Sequence, residues 1–173
     1  MRVTSVCLLA VGLIVAVGLT LRRQRQSASD AQSIGAPTNG VPDHYDPRRD
    51  PEKDLLAASA EAKNSQRNIL IVVGGDWCSW CHTLDTFFRQ HPDLTALRDQ
   101  DFVTMKVSMS QENPNRPFLS RFPQIHGYPH IFILDAEGRL IRSQPTNELE
   151  DGSSYNVARL TAFLEQFAPH SSR

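Results

Sequence analysis

The sequence predicts an α/β domain, a mixed central sheet with flanking helices, preceded by one N-terminal transmembrane helix. Three observations predict it. Val3 to Leu21 is an uncharged apolar run. Beyond residue 50, short β-branched runs alternate with segments of helical period and then give way to a hairpin. Residues 24–49, between these regions, have the composition of neither.

The N-terminal run is long enough, at ~1.5 Å per helical residue, to approach the ~30 Å hydrocarbon core of a bilayer. A cleaved secretory signal normally ends in small uncharged residues. Here Arg22, Arg23 and Arg25 follow the run at once. Residues 1–23 are therefore read as a transmembrane anchor or uncleaved signal. Cys7 is a small apolar residue within it, since too few residues precede it for a lipoprotein cleavage site. The flanking arginines taken alone place the following domain in the cytoplasm. The chemistry read below favours an inner-membrane anchor with a periplasmic domain. Residues 24–49 are rich in Ser, Gln, Asp, Pro, Gly and Asn and have no apolar periodicity, the composition of a flexible linker.

Residues 50–173 are read as one domain. Asp50 before Pro51 is a helix start, with Asp as the cap and Pro in the first turn. That helix reaches about Gln66 and turns Leu55, Leu56, Ala58 and Ala62 inward. Ile69 to Val73 is a strand buried on both faces, because the run is unbroken and β-branched. A helix from about Cys78 to Gln90 offers Leu84, Phe87 and Phe88 to the core. His91-Pro92 breaks it, and a short helix extends to about Asp99. Phe102 to Met109 alternates as a strand. Gln111 to Pro117 is a loop, followed by a short helix to Phe122. His130 to Leu134 is a strand, residues 135–138 form a hairpin turn on Gly138, and Leu140 to Ser143 is the returning edge strand. Asn147 to Ser154 is a polar loop. Asn156 to Phe167 is an amphipathic helix with Val157, Leu160, Phe163, Leu164 and Phe167 on one face.

Composition narrows the function. Eighteen basic and nineteen acidic side chains give a net charge of −1. No basic field draws nucleic acid, and no such partner is expected. A stapled secreted module spreads its cysteines along the chain. Here Cys78 and Cys81 form one close pair, which points to chemistry. Between a strand and a helix, such a pair places Cys78 at a helix N-terminus. Free N–H groups and the helix dipole stabilise a thiolate there. Cys81 lies one turn further on, within reach of a disulfide.

The strand Ile69 to Val73, the run Gly74-Gly75-Asp76-Trp77-Cys78-Ser79-Trp80-Cys81 and the later Gly127-Tyr128-Pro129 resemble the thioredoxin-like superfamily over about residues 52–168. The Asp76-Trp77-Cys78 run with Asp85 resembles the thioredoxin-like end domain of bacterial transmembrane disulfide reductases and related single-domain proteins. The resemblance implies a thiol–disulfide oxidoreductase that exchanges electrons with cysteine-containing protein substrates and a thiol electron donor, with no cofactor. It implies Cys78 as attacking thiol, Cys81 as resolving thiol, and a cis peptide before Pro129. It also implies Trp77 and Tyr128 as substrate contacts, Tyr128 offering its backbone to an extended segment. Trp80 is a second candidate for the substrate rim, with packing as its alternative.

The match has departures. The buried Asp that thioredoxins carry six residues before the first cysteine is Val72 here. Asp85, one turn after Cys81, is the candidate replacement proton acceptor, with a solvated helix Asp as the alternative. Lys106 matches a strand lysine of the family or lies on a solvated face. His82, next to Cys81, can lower a thiol pKa as a cation. His126 and His130 are read as structural. A copper or zinc carrier using Cys78, Cys81, His82 and His130 is the competing class. Such carriers of this fold space their cysteines more widely. An oxidase or isomerase would use the same pair.

Overall fold

A computed structural model describes residues 44–169. The expected transmembrane helix and most of the expected linker lie outside them. Among the described residues no helix is long and apolar enough to cross a membrane.

Helix α1 (Pro51–Ser65) starts where an oxygen of Asp50 accepts the Glu52 N–H at 3.0 Å. It stops at Gln66, which turns left-handed at φ 56° and donates its N–H to Ala62 O. Its buried face is Asp54, Ala58 and Ala62, one turn apart. Leu56, expected inward, is 73% exposed. It sits two residues from Asp54, about 200° round the axis at ~100° per residue. Asp54 takes the inward place because its carboxylate is paired with the Arg49 guanidinium.

Strands β1 (Asn68–Gly74), β2 (Phe102–Ser108), β3 (His130–Leu134) and β4 (Leu140–Pro145) form one sheet in the order β2-β1-β3-β4. β1 and β2 are parallel, and the other two pairs are antiparallel. Helices α2 (Ser79–Gln90) and α3 (Pro92–Asp101) supply the crossover that the parallel pair requires. In the β3–β4 turn, an oxygen of Asp135 accepts the N–H groups of Glu137 and Arg139 at 3.0 and 2.9 Å, and Gly138 takes φ 82°.

All seven residues of β1 are buried because both faces are covered. Ile69, Ile71 and Val73 pack with Met105 and Phe132 beneath Ala58 and Ala62 of α1 and Phe118 of α4 (Arg116–Leu119). Leu70 and Val72 face the other way, with Ile131 and Ile133. They lie under Leu84, Phe87 and Phe88 of α2, Leu94 of α3, and Leu160, Phe163 and Leu164 of α5 (Val157–Phe167). Val157, expected on that inner face, is 44% exposed at the first turn of α5, which Asn156 caps by accepting the Arg159 N–H at 3.1 Å.

The segment expected to be a polar loop is built differently. Thr146–Leu149 is a 3₁₀ turn, and β5 (Glu150–Asp151) pairs with β6 (Ser154–Tyr155) around Gly152 at φ 61°. Buried Leu149 and Tyr155 anchor it. Two side chains among many polar ones suffice, so composition hides the structure.

One register relation positions the site. His130 pairs with Val73 in the antiparallel β1–β3 ladder. The Tyr128-Pro129 dipeptide before β3 therefore meets the Gly74-Gly75 exit of β1.

Candidate active site

Cys78 and Cys81 form a disulfide with Cα atoms 5.2 Å apart. Cys78 caps α2, its Sγ accepting the Cys81 N–H at 3.1 Å. The first turn of α2 carries no acidic side chain to oppose negative charge there. The two sulfur-bearing residues are not equivalent. Cys78 keeps 4% of its surface and Cys81 none. A partner can reach only Cys78.

Cys81 is sealed against the end of β1. A Cβ added to Gly74 would lie 2.4 Å from Cys81 Sγ and 2.9 Å from the Tyr45 hydroxyl. Only glycine leaves room for both. Gly75 is constrained likewise by the Trp77 indole nitrogen at 2.5 Å from such a Cβ.

Trp77 is 59% exposed yet held in place. Its Nε1–H donates to Met109 O at 2.6 Å, just past β2, and its ring meets Tyr128 edge-on at 5.5 Å. The Tyr128–Pro129 bond is cis, as expected. Thr146 Oγ1 donates to Pro129 O at 2.6 Å and fastens that loop to the 3₁₀ turn. Cys78, Trp77, Tyr128 and Pro129 thus share one end of the sheet. Trp80 turns away from this group and packs edge-on against Tyr155 at 5.6 Å, at the rim of the core.

Asp85 is not a free helix carboxylate. Lys106 Nζ donates to its Oδ2 at 2.6 Å, and the lysine side chain is only 10% exposed. Lys106 is therefore not on a solvated face. Its ammonium also lies 4.8 Å from the centroid of the Tyr45 ring. Tyr45 falls in the segment expected to be linker, but it is 4% exposed and belongs to the core. Burial, and next the negative charge of Asp85, raises its phenol pKa above the ordinary value. Burial also lifts Tyr155, to about 12, against the opposing influence of the Thr146 side chain. A cavity of about 670 Å³ opens beside these groups, with Tyr45, Asp76, His82, Asp85 and Lys106 in its wall. The sequence held one signal for Tyr45: a lone aromatic residue just before the helix start, in otherwise polar chain.

The histidines are occupied elsewhere. His82 Nε2 is 2.7 Å from Asp76 O, and His130 Nε2 is 2.8 Å from Ser143 Oγ. Burial, then the neighbouring His126, lowers the His130 pKa to about 4. Among the described residues, no group of three or more His, Cys, Asp or Glu side chains is arranged to hold a metal ion.

Residues 50–136 match the family model described as thioredoxin-like. The chain belongs to the thioredoxin-like family. Solved thioredoxin-like structures agree in fold. A disulphide isomerase from Xylella fastidiosa Temecula1 superposes with a TM-score of 0.61 at 22% identity, covering 73% of this chain and 96% of that one. The C-terminal domain of Neisseria meningitidis DsbD superposes at 0.52 in its oxidised form, with 14% identity, 68% of this chain and 96% of that one. Its reduced form gives 0.54 at 15% identity over the same shares. Among curated proteins none matches this sequence. Within the thioredoxin-like frame, the cysteine pair and the cis-proline loop meet where β1 ends.

Proposed function

We propose that the protein is a membrane-tethered thiol–disulfide oxidoreductase that reduces disulfides in other proteins, with its domain on the periplasmic side. One observation carries the chemistry: of two disulfide-bonded cysteines, only Cys78 keeps any solvent-accessible surface, and it caps a helix N-terminus beside an exposed tryptophan. The cycle starts from the dithiol. Cys78 thiolate attacks a substrate disulfide, forms a mixed disulfide and releases one substrate sulfur as thiolate. Cys81, deprotonated, attacks Cys78 Sγ. The internal disulfide closes, the second substrate sulfur leaves, and two electrons have passed to the substrate. A thiol donor then reopens the pair. Trp77 and Tyr128 receive the substrate segment, and Tyr128 offers its backbone beside Pro129. Asp85, held by Lys106, is the carboxylate nearest in sequence to serve the Cys81 proton. The reducing direction rests on the likeness of Asp76-Trp77-Cys78 and Asp85 to membrane disulfide reductases. Location rests on that likeness together with the apolar N-terminal run.

Insulin reduction by the detergent-solubilised full chain, with a dithiol as donor, tests this reading. The Cys78→Ser variant should fall to background, and equal turnover in the two proteins overturns the mechanism. Equilibration with glutathione reads the direction. A reductase keeps its pair oxidised until the buffer is strongly reducing, whereas a pair that stays dithiol in largely oxidised glutathione marks an oxidant.

A further inference from the structure

Tyr45 presents a buried polar atom without a purpose in the oxidised protein. Its hydroxyl is buried and has no hydrogen-bond partner among the described residues. Such an orphan is normally removed by selection or matched with a partner. The hydroxyl and Cys81 Sγ both border the space that a Gly74 side chain would fill, 2.9 and 2.4 Å from its Cβ position. They are no farther apart than the sum of those distances. A disulfide sulfur is a weak acceptor. A thiolate is a strong one.

We propose that the Tyr45 hydroxyl is a hydrogen-bond donor to Cys81 Sγ in the dithiol form, a contact completed only when the disulfide opens. The proposal rests on the thiol–disulfide reading above. Burial keeps the phenol protonated, so it acts as a donor and not as a base. The groups facing it are Asp85 from α2, Asp76 from the loop before α2, Lys106 from β2 and Tyr155 from β6. His82 lines the same cavity. The carboxylates oppose a thiolate at Cys81, and Lys106 and the phenol donor offset them. Reduction breaks the Cys78–Cys81 bond with two electrons from the thiol donor. The donor thiolate attacks Cys78 Sγ, so Cys81 leaves that bond as a thiolate and takes the phenol hydrogen bond. When Cys81 attacks Cys78 Sγ in the mixed disulfide, its electron pair forms the new S–S bond. The departing substrate thiolate takes up a proton, and the phenol is orphaned again. Tyr45 is thus a positioning residue for the resolving thiol, and it stabilises the reduced protein over the oxidised one.

The test compares the full chain with Tyr45→Phe, which keeps the ring, and with Thr104→Val. Thr104 Oγ1 is the other buried hydroxyl without a partner among the described residues. It pairs in register with Leu70, four residues from Gly74, so it serves as the control. Each protein is equilibrated with reduced and oxidised dithiothreitol, and the disulfide fraction is read by thiol trapping. Loss of a hydrogen bond to an ionised sulfur should move the Tyr45→Phe equilibrium roughly tenfold toward disulfide. The pH at which a preformed mixed disulfide resolves should rise in the same variant. Thr104→Val should match wild type in both. A Tyr45→Phe equilibrium within twofold of wild type, or an equal shift in Thr104→Val, overturns the proposal. Failure of the function reading looks different: insulin stays unreduced while the dithiothreitol equilibrium still separates the variants.

Discussion

Cys78 and Cys81 have the same side chain and opposite surroundings, and that difference sets their order of use. The first touches solvent at a helix cap, and the second has no exposed surface. A thiolate at the cap is favoured by N–H groups already pointing at it. Burial acts in the opposite sense on His130, a neighbour in the ladder of the β1 residue Val73. Its pKa is lowered to about 4, first by burial and then by His126. The unfolded chain binds a proton at this histidine near pH 6.5 and the folded chain does not. Stability from this group is therefore full above pH 6.5, falls as pH drops toward 4, and levels off below. The loss is at most about 3 kcal/mol. Urea midpoints measured from pH 7.5 to 4 should fall more steeply for wild type than for His130→Gln. Parallel slopes would mean that the imidazole is protonated in the fold.

At the scale of elements, the site exists because α2 is packed hard against the end of β1. Gly74 is the contact. An added methyl would stand 2.4 Å from Cys81 Sγ and 2.9 Å from the Tyr45 hydroxyl, and neither can retreat while the disulfide is closed. Gly74→Ala should therefore cost the oxidised protein about 1–3 kcal/mol, the usual penalty of overpacking. The reduced protein should lose less, because a free thiol can rotate away. Urea unfolding with and without reductant measures both, and equal losses in the two forms would show that the clash lies elsewhere. Most elements were legible in the sequence. β1 is an unbroken β-branched run because both its faces are covered, and Gly138 marks the β3–β4 turn. The β5–β6 ladder was not legible, since two-residue strands leave no periodicity. Nor was the inward face of α1, where Asp54 displaces Leu56 through a partner, Arg49, that lies before the helix.

At the scale of the whole molecule, the segment before the domain joins the site. Tyr45 lies in residues read from composition as linker, yet its ring sits in the core under the Lys106 ammonium. A soluble version of the domain must begin before it. The tethering proposed above concerns residues outside those described, and topology tests it in the full chain. A C-terminal fusion to a reporter active only after export should give strong signal. A cytoplasm-only reporter that is active in its place would overturn the periplasmic location.

The sequence by itself determined the thioredoxin-like class, the paired cysteines, the proline loop and nearly every strand and helix. The elements follow from local periodicity and spacing, which survive in one dimension, and the class follows from the resemblance of the cysteine and proline motifs to a known family. Only the tertiary structure decided which sulfur is reachable, that Asp85 is bound to Lys106, that Trp80 faces the core rim, and that Tyr45 stands beside Cys81. Each of these depends on atoms brought together from distant parts of the chain, and burial is a property of the packed assembly that no single stretch of residues carries.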